Sequence, residues 1–318
     1  MICSPESIAA TEFSATAYYF GRRLHQALQT PVGMIASSYG GTRIEPWTEA
    51  GAATTAIPAA PQGHADDGQK EPQAGGLYNA MIAPLTPYAI RGVIWYQGES
   101  NVIGGEQMAL YATKMEDLVR SWRQQWGAQL PFYYVQVAPH SYSVIRKARV
   151  PDPHTLPELW EAQADARRIP GSAMIVTTDL ADDLADIHPR DKTQVGRRLA
   201  NLALRKTYGQ AGAEVDSPSY RGMEIRGATL TLSFDHAAGL RTRDGKPPSH
   251  FELAGADGVY HPAQATLRGE QVQLASAAVA APVAARFAWH EDAQPNLINS
   301  AGLPAVPFRT QRPAAPPR

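Results

Sequence analysis

Apolar and polar positions follow two different patterns along the chain, and the change falls near residue 212. In the first part, short apolar runs of strand length alternate with longer segments whose apolar residues recur three and four positions apart. This alternation predicts parallel strands joined by helices. The expected strands are residues 30–38, 92–97, 131–138 and 172–179, and the expected helices are residues 9–28, 105–126, 159–168 and 193–208.

The helix expected over residues 105–126 carries one apolar stripe, for which core packing is the simplest interpretation. Its members are Tyr111, Met115, Leu118, Val119, Trp122 and Trp126. By contrast, residues 51–76 are rich in Ala, Pro, Gly and Gln without periodicity, which predicts a mobile surface loop.

From about residue 215, short segments alternate polar with apolar residues and are separated by glycine-containing turns. Examples are ATLTLSF, HFELAG and QVQLAS, with the turns RDGK and GADG. We therefore predict an α/β domain over residues 1–212, with a parallel sheet covered by helices on both faces. A small antiparallel, β-sandwich-like module is expected over residues 213–312, and a disordered tail over residues 313–318.

Composition and charge narrow the function classes. The 318 residues carry a formal net charge of −1, so no basic field is expected to attract nucleic acid or a membrane surface. No apolar run is long enough to span a bilayer. The single cysteine, Cys3, rules out an internal disulfide. The chain begins without the basic start and apolar core of a signal peptide.

Polar clusters follow three of the expected strands: SSYGGT, QGESN and DIHP. Ligands of parallel α/β sheets bind at the carboxyl ends of the strands, so these clusters are expected to share one edge. His188 lies in DIHP after several aspartates and is a candidate general base, with Asp186 placed to fix its tautomer. A surface histidine before a helix start is an equal alternative. The scattered histidines lack metal-ligand spacing.

Gly40, Gly41 and Asn101 offer N–H groups that could stabilise an oxyanion, although for the two glycines taken alone a tight turn is the better explanation. Ser100 follows a strand within G-E-S, as a nucleophile would. It lacks the final glycine of G-x-S-x-G, because Val102 stands there.

Together these segments resemble the sialate O-acetylesterases of the SGNH hydrolase superfamily. The resemblance rests on PVGMIASSYGGTRIEPWT, LYNAMIAPLTPYAIRGVIWYQGESN, PFYYVQVAP and DIHPRDKTQVGRRLA, and it continues into FELAGADG and LINSAGLPAVPFRT. It implies a flavodoxin-like SGNH sheet and a serine esterase that removes O-acetyl groups from sialic acid or a related sugar. It implies no cofactor or metal, and an O-acetylated sugar as the binding partner.

The resemblance also assigns roles to individual residues. SSYGGT matches the block of the oxyanion glycine, Gly40 or Gly41, and QGESN matches the block of the oxyanion asparagine, Asn101. DIHP matches the block of the catalytic His188. The acid usually stands three residues before this histidine, where the chain has Ala185, so Asp186 is the substitute. Ser100 then supports the site, and Gln97 and Glu99 are expected to contact the substrate.

The family's nucleophile lies in a G-Q-S-N block upstream of the segment CSPE, which here begins at Cys3, and no such block occurs in the chain. We therefore expect a family member whose N-terminal part, with the first strand of the sheet, is missing. A non-catalytic carbohydrate-binding remnant and an acetylxylan esterase remain alternatives. Export to the periplasm or outside the cell is implied by the resemblance alone, and the oligomeric state is open.

Overall fold

The computed structural model describes residues 13–54, 72–105, 107–145, 152–212 and 214–311. A parallel three-stranded sheet with helices forms the first part, and antiparallel sheets form the second. The helices and strands of the first part are α1 (Ala15–Leu28), β1 (Val93–Trp95), α2 (Glu99–Ile103), α3 (Tyr111–Trp126), β2 (Phe132–Val135), α4 (Thr155–Asp165), β3 (Ser172–Ile175) and α5 (Lys192–Lys206).

The parallel sheet has the order β1-β2-β3, with β2 in the centre. Successive side chains of a strand point to opposite faces. Accordingly, Phe132 and Tyr134 belong to the core shared with α3 and α4, whereas Tyr133 and Val135 belong to the core shared with α1 and α5. The sheet is therefore covered on both faces, and the predicted α/β fold is confirmed.

Helix α1 packs against α5 at a close crossing. It begins at Ser14, whose hydroxyl accepts the Ala17 N–H at 3.3 Å. At Gly196 of α5, an added Cβ atom would lie 2.7 Å from Cβ of Tyr19 and 2.8 Å from the backbone nitrogen of Phe20. No side chain fits in this space, so the crossing requires glycine.

The apolar stripe expected on α3 is confirmed. All of its members are buried except Trp126, which packs partly buried against the same core. The helix ends at Gly127, which has the left-handed backbone conformation typical of a helix end.

The strand expected over residues 30–38 is wrong. Residues 31–39 have no strand partner in the described part of the chain. Val32 and Met34 contact the α1–α5 core while the residues between them are exposed, so the run alternates as a strand does. A strand also needs a hydrogen-bonded neighbour, which this segment lacks. Among the described residues, β1 is hydrogen-bonded to a neighbouring strand on one side only, the side of β2.

Two further expectations concern segments that the structure describes only in part or not at all. Of the loop expected over residues 51–76, residues 55–71 lie outside the described part, and residues 51–52 and 74–75 form turns. The tail expected over residues 313–318 lies wholly outside it.

The second part consists of β4 (Ser219–Arg226), β5 (Thr229–Asp235), β6 (Arg241–Thr242), β7 (Phe251–Ala254), β8 (Tyr260–Pro262), β9 (Gln264–Arg268), β10 (Gln271–Ala275), β11 (Ala284–Phe287), β12 (Leu297–Ile298) and β13 (Phe308–Arg309). Two four-stranded antiparallel sheets have the orders β4-β5-β10-β9 and β13-β11-β7-β8, and β6 pairs with β12. In β5, Leu230, Leu232 and Phe234 point inward and the residues between them are less buried. The predicted antiparallel module is confirmed.

The antiparallel module packs directly on the parallel sheet's helices. A single buried cluster includes Leu156 and Leu159 of α4 together with Phe251 and Phe287 of the module. An ion pair between Arg309 and Glu161 joins the same surfaces at 2.7 Å. The domain boundary near residue 212 stays a prediction. In the described ranges, no helix has the length and apolar character needed to cross a bilayer.

Candidate active site

The carboxyl end of β1 is joined by hydrogen bonds to the turn that contains Gly40 and Gly41. The side-chain amide of Gln97 donates to the Thr42 carbonyl at 3.1 Å, and the Ile44 N–H donates to Oδ1 of Asn101 at 3.2 Å. The structure therefore brings together two of the three clusters that the sequence placed at this edge of the sheet.

Gly98 makes the sharp bend between β1 and α2 possible. Its φ angle is 155°, and an added Cβ atom would lie 2.6 Å from Val137 and 2.9 Å from Leu159. Only glycine lets the backbone approach β2 and α4 this closely. The bend directs the side chains of Gln97 and Asn101 inward, where both are buried.

Asn101 is fully enclosed and lies in a buried polar network. Its Oδ1 accepts from Nε2 of Gln97 at 2.8 Å, and its Nδ2 donates to Oε2 of Glu45 at 3.2 Å. The other oxygen of Glu45 forms a buried ion pair with Lys114 of α3. The hydroxyl of Tyr111 donates to Oε1 of Gln97 at 2.7 Å. The oxyanion role of Asn101 and the substrate contact of Gln97 stay predictions, since both side chains lie inside this network.

Gly40 and Gly41 form an exposed turn. Gly41 has a φ angle of 70°, and nothing lies within 4 Å of a Cβ atom added at either glycine. The Thr42 hydroxyl closes the turn by donating to the Tyr39 carbonyl at 2.7 Å. The backbone of this turn is therefore open to a ligand, which its predicted oxyanion role requires.

Glu99, in the first turn of α2, is close enough to His188 and Lys192 for their charges to act on its carboxyl. Burial raises the pKa of its carboxyl, and the charges of His188 and Lys192 act in the opposite direction. Burial lowers the pKa of Lys192, and Glu99 opposes that shift. The ammonium of Lys192 lies 5.4 Å from the centre of the Tyr96 ring. The third cluster therefore joins the same edge, together with Lys192 and Tyr96, neither of which was expected from the sequence.

His188 is held by its backbone while its imidazole faces solvent. Its N–H donates to Oδ1 of Asp186 at 2.9 Å, and 81% of its side chain is exposed. The Nδ1 atom lies 3.9 Å from the same carboxylate oxygen, which is beyond hydrogen-bond distance. Asp191 caps α5 by accepting the Gln194 N–H at 3.0 Å. The imidazole is therefore accessible, as a general base requires, and the segment also leads into a capped helix, as the alternative interpretation expects.

Ser100 is partly exposed beside Glu99 on α2, and its carbonyl accepts the Gly104 N–H at 3.0 Å. On this helix turn it belongs to the scaffold that carries Glu99 and Asn101. Its assignment as a supporting residue stays a prediction.

A second histidine, His140, lies behind the segment that carries His188. It is buried, and its ring packs edge-on against Tyr142 at 4.7 Å between ring centres. Its Nδ1 has no hydrogen-bond partner among the residues that the structure describes. Burial lowers the pKa of its imidazole, while Glu291, the Leu184 backbone, Asp186 and Asp292 oppose the shift. The sequence analysis missed His140 because its neighbours come from distant segments.

Another group of ligand-type side chains lies on the antiparallel module. Glu214, Asp216 and His236 place ligand atoms within 4.8 Å of one another. These groups already have partners: Nδ1 of His236 lies 3.1 Å from Glu214, and Lys206 pairs with Asp216 at 2.8 Å. The cluster lies apart from the sheet edge and is assigned no role.

Comparison with known proteins finds one matching family model and several relatives. A family model described as carbohydrate esterase, sialic acid-specific acetylesterase, matches residues 7–205. The chain is 32% identical to the sialate O-acetylesterase of Pongo abelii, over 93% of this chain and 60% of that protein. It is 33% identical to the sialate O-acetylesterase of Homo sapiens, over 73% of this chain and 47% of that protein.

A solved structure with a similar fold is that of a carbohydrate acetylesterase from Xanthomonas citri. Its TM-score is 0.82 at 34% identity, over 94% of this chain and 66% of that one. The chain spans between 47% and 64% of the length of the curated relatives that it matches.

The buried ion pair leads to the first prediction. Glu45→Gln should lower the free energy of unfolding by about 3–5 kcal/mol, because it breaks a buried ion pair with Lys114 by removing one of its two charges. Urea denaturation measures the change. Glu49→Gln is the matched control, because the Glu49 carboxylate accepts a solvent-exposed hydrogen bond from Gln125, and the substitution should change stability by less than about 0.5 kcal/mol. Equal effects of the two substitutions would contradict the network.

His140 leads to the second prediction. Its pKa is lower in the folded chain than in the unfolded chain, where histidine titrates near about 6.5. The unfolded state therefore binds more protons as pH falls below that value, and stability declines. His140→Phe should reduce the decline of the free energy of unfolding between about pH 7 and pH 5. Parallel pH profiles for the two proteins would show that His140 does not contribute.

Proposed function

Because the chain belongs to the carbohydrate esterase family of sialic acid-specific acetylesterases, we propose that it forms the base-bearing part of a site that hydrolyses sugar O-acetyl esters. The family that the sequence resembled is thereby confirmed. Sialic acid or a related sugar is the proposed carrier of the acetyl group. The proposal rests above all on His188, an accessible imidazole that follows β3 and whose charge acts on the Glu99 carboxyl.

The proposed reaction is acyl transfer through a serine. His188 takes the proton from the serine hydroxyl as its oxygen attacks the acetyl carbonyl carbon. When the tetrahedral intermediate collapses, the ester bond breaks and His188 returns the proton to the departing sugar oxygen. Water, deprotonated by His188, then attacks the acyl-serine. Acetate leaves, and the serine recovers its proton.

The nucleophile is proposed to come from a strand alongside β1. The support is the open edge of β1, which in the described residues pairs with β2 alone. A parallel strand at that edge would end where Gly98 and Glu99 begin, because the carboxyl ends of parallel strands meet at one edge of a sheet. A serine following such a strand would lie on the same side of the sheet as His188.

The Gly40–Gly41 turn is proposed to stabilise the oxyanion through its backbone N–H groups. The turn is exposed, whereas Asn101 is fully enclosed. Asn101 supports the turn by accepting the Ile44 N–H, and the Glu45–Lys114 pair fixes the orientation of its amide. Glu99 and Lys192 are the polar groups best placed to contact the sugar.

The third prediction tests the base. In a protein extended upstream to include the proposed serine block, here called the full-length protein, His188→Ala should reduce turnover of 4-nitrophenyl acetate at least about a hundredfold. The reason is that no other group is proposed to accept the serine proton. His25→Ala is the matched control, because this exposed histidine lies in the last turn of α1, outside the three polar clusters, and should keep wild-type turnover. Retention of most activity in His188→Ala would refute the mechanism.

Acetate release from O-acetylated sialic acid and from acetylated xylan, measured side by side, assigns the sugar. The proposal expects the sialic acid ester to be hydrolysed faster. A full-length protein that binds acetylated sugars without releasing acetate from either would be a carbohydrate-binding protein and not an esterase.

A further inference from the structure

The connection between β11 and β12 leaves the antiparallel module and contacts two loops at the carboxyl edge of the parallel sheet. Nε2 of Gln294 donates to the Ala181 carbonyl at 2.7 Å. Oδ1 of Asp292 accepts from the Ser141 hydroxyl at 2.7 Å. We refer to residues 291–294 as the bridging segment, and to residues 180–188, which end at His188, as the histidine loop.

The bridging segment also reaches the histidine loop through residues 140–144. The carboxylate of Glu291 accepts the Ser143 N–H at 2.9 Å, and its carbonyl accepts the His140 N–H at 3.2 Å. The Ser141 N–H in turn donates to the Leu184 carbonyl at 3.1 Å. The module is therefore joined to the histidine loop at two carbonyls, one directly and one through Ser141.

The histidine loop forms no helix or strand. Leu180 and Ile187 pack partly buried against the two cores, and hydrogen bonds position the rest of its backbone. At one end, Asp179 forms an ion pair with Arg198 of α5 at 2.5 Å. At the other end, Asp191 caps α5. Between these anchors, the contacts at Ala181 and Leu184 join the loop to the antiparallel module.

We propose that the bridging segment positions His188, so that the antiparallel module is part of the esterase site's framework and not an independent appendage. Gln294 and Asp292 are the positioning residues, and Glu291 fixes the intermediate loop that carries Ser141. The inference rests on the proposed function, because the bridging segment affects catalysis only if His188 is the base. The bridge itself can be tested without any catalysis.

The test of the bridge is hydrogen–deuterium exchange of the 318-residue chain. Gln294→Ala removes the donor to Ala181, and backbone amides of residues 182–188 should exchange about tenfold faster. Amides of β2 should keep their protection, because β2 lies in the core. Gln311→Ala is the matched control, since its amide also donates to a backbone carbonyl, that of Val283, at 3.4 Å within the module. It should leave the histidine loop unchanged.

A conservative pair at Asp292 separates hydrogen bonding from charge. Asp292→Ala should also speed exchange of the loop, because the Ser141 hydroxyl loses its acceptor. Asp292→Asn keeps an oxygen at that position and should restore near wild-type exchange. Loss of protection in both variants, or in neither, would overturn the assignment of Asp292 as an acceptor that holds the loop.

Turnover in the full-length protein tests the consequence for His188. Gln294→Ala should lower kcat for 4-nitrophenyl acetate about tenfold with little change in KM, because misplacement of the base affects the chemical step more than binding. Gln311→Ala should retain wild-type kcat. Faster loop exchange with unchanged kcat would overturn the positioning role, as would unchanged exchange in Gln294→Ala. If His188→Ala keeps its activity, the proposed function fails instead, whatever the exchange result.

Discussion

The buried network around Asn101 is the constraint on which the candidate site depends. It joins the end of β1, the turn at residues 40–45 and α3 through the side chains of Gln97, Glu45 and Lys114. Burying charged groups costs free energy that only well-placed partners offset, so such a network tolerates few arrangements. Its function in this fold is geometric: it fixes where the backbone of the Gly40–Gly41 turn lies relative to the start of α2. Glu99 leaves α2 on the opposite side from Asn101, toward His188 and Lys192.

The other side of the site is built differently. The histidine loop is partly exposed. It is held at its ends by α5 and by the packing of Leu180 and Ile187, and in its middle by hydrogen bonds to the antiparallel module. One side of the site is therefore fixed by buried polar groups, and the other by hydrogen bonds from a second structural unit. In this arrangement the module completes the framework around the sheet edge. The two parts also share one buried hydrophobic cluster.

Most of the fold could be predicted because apolar periodicity records which face of an element is buried. The stripe on α3 and the alternation in β5 are examples. The strand expected at residues 30–38 failed because apolar content predicts an extended segment but does not supply a hydrogen-bonded neighbour. The position of His188 at the sheet edge followed from its place after a strand. The enclosure of Asn101 could not be predicted, since its partner Glu45 lies 56 residues away and only the folded chain brings them together. His140 and Gln294 were missed for the same reason.

We propose above that this chain supplies the base and the framework of an esterase site whose nucleophile is not one of its own serines. The most direct test is a fluorophosphonate that labels activated serines, applied to the 318-residue chain and to the full-length protein, with the labelled peptide identified by mass spectrometry. The account predicts no stoichiometric label on the 318-residue chain, and in the full-length protein a label on one serine outside these residues that disappears in His188→Ala. Stoichiometric labelling of Ser100 in either protein would contradict it.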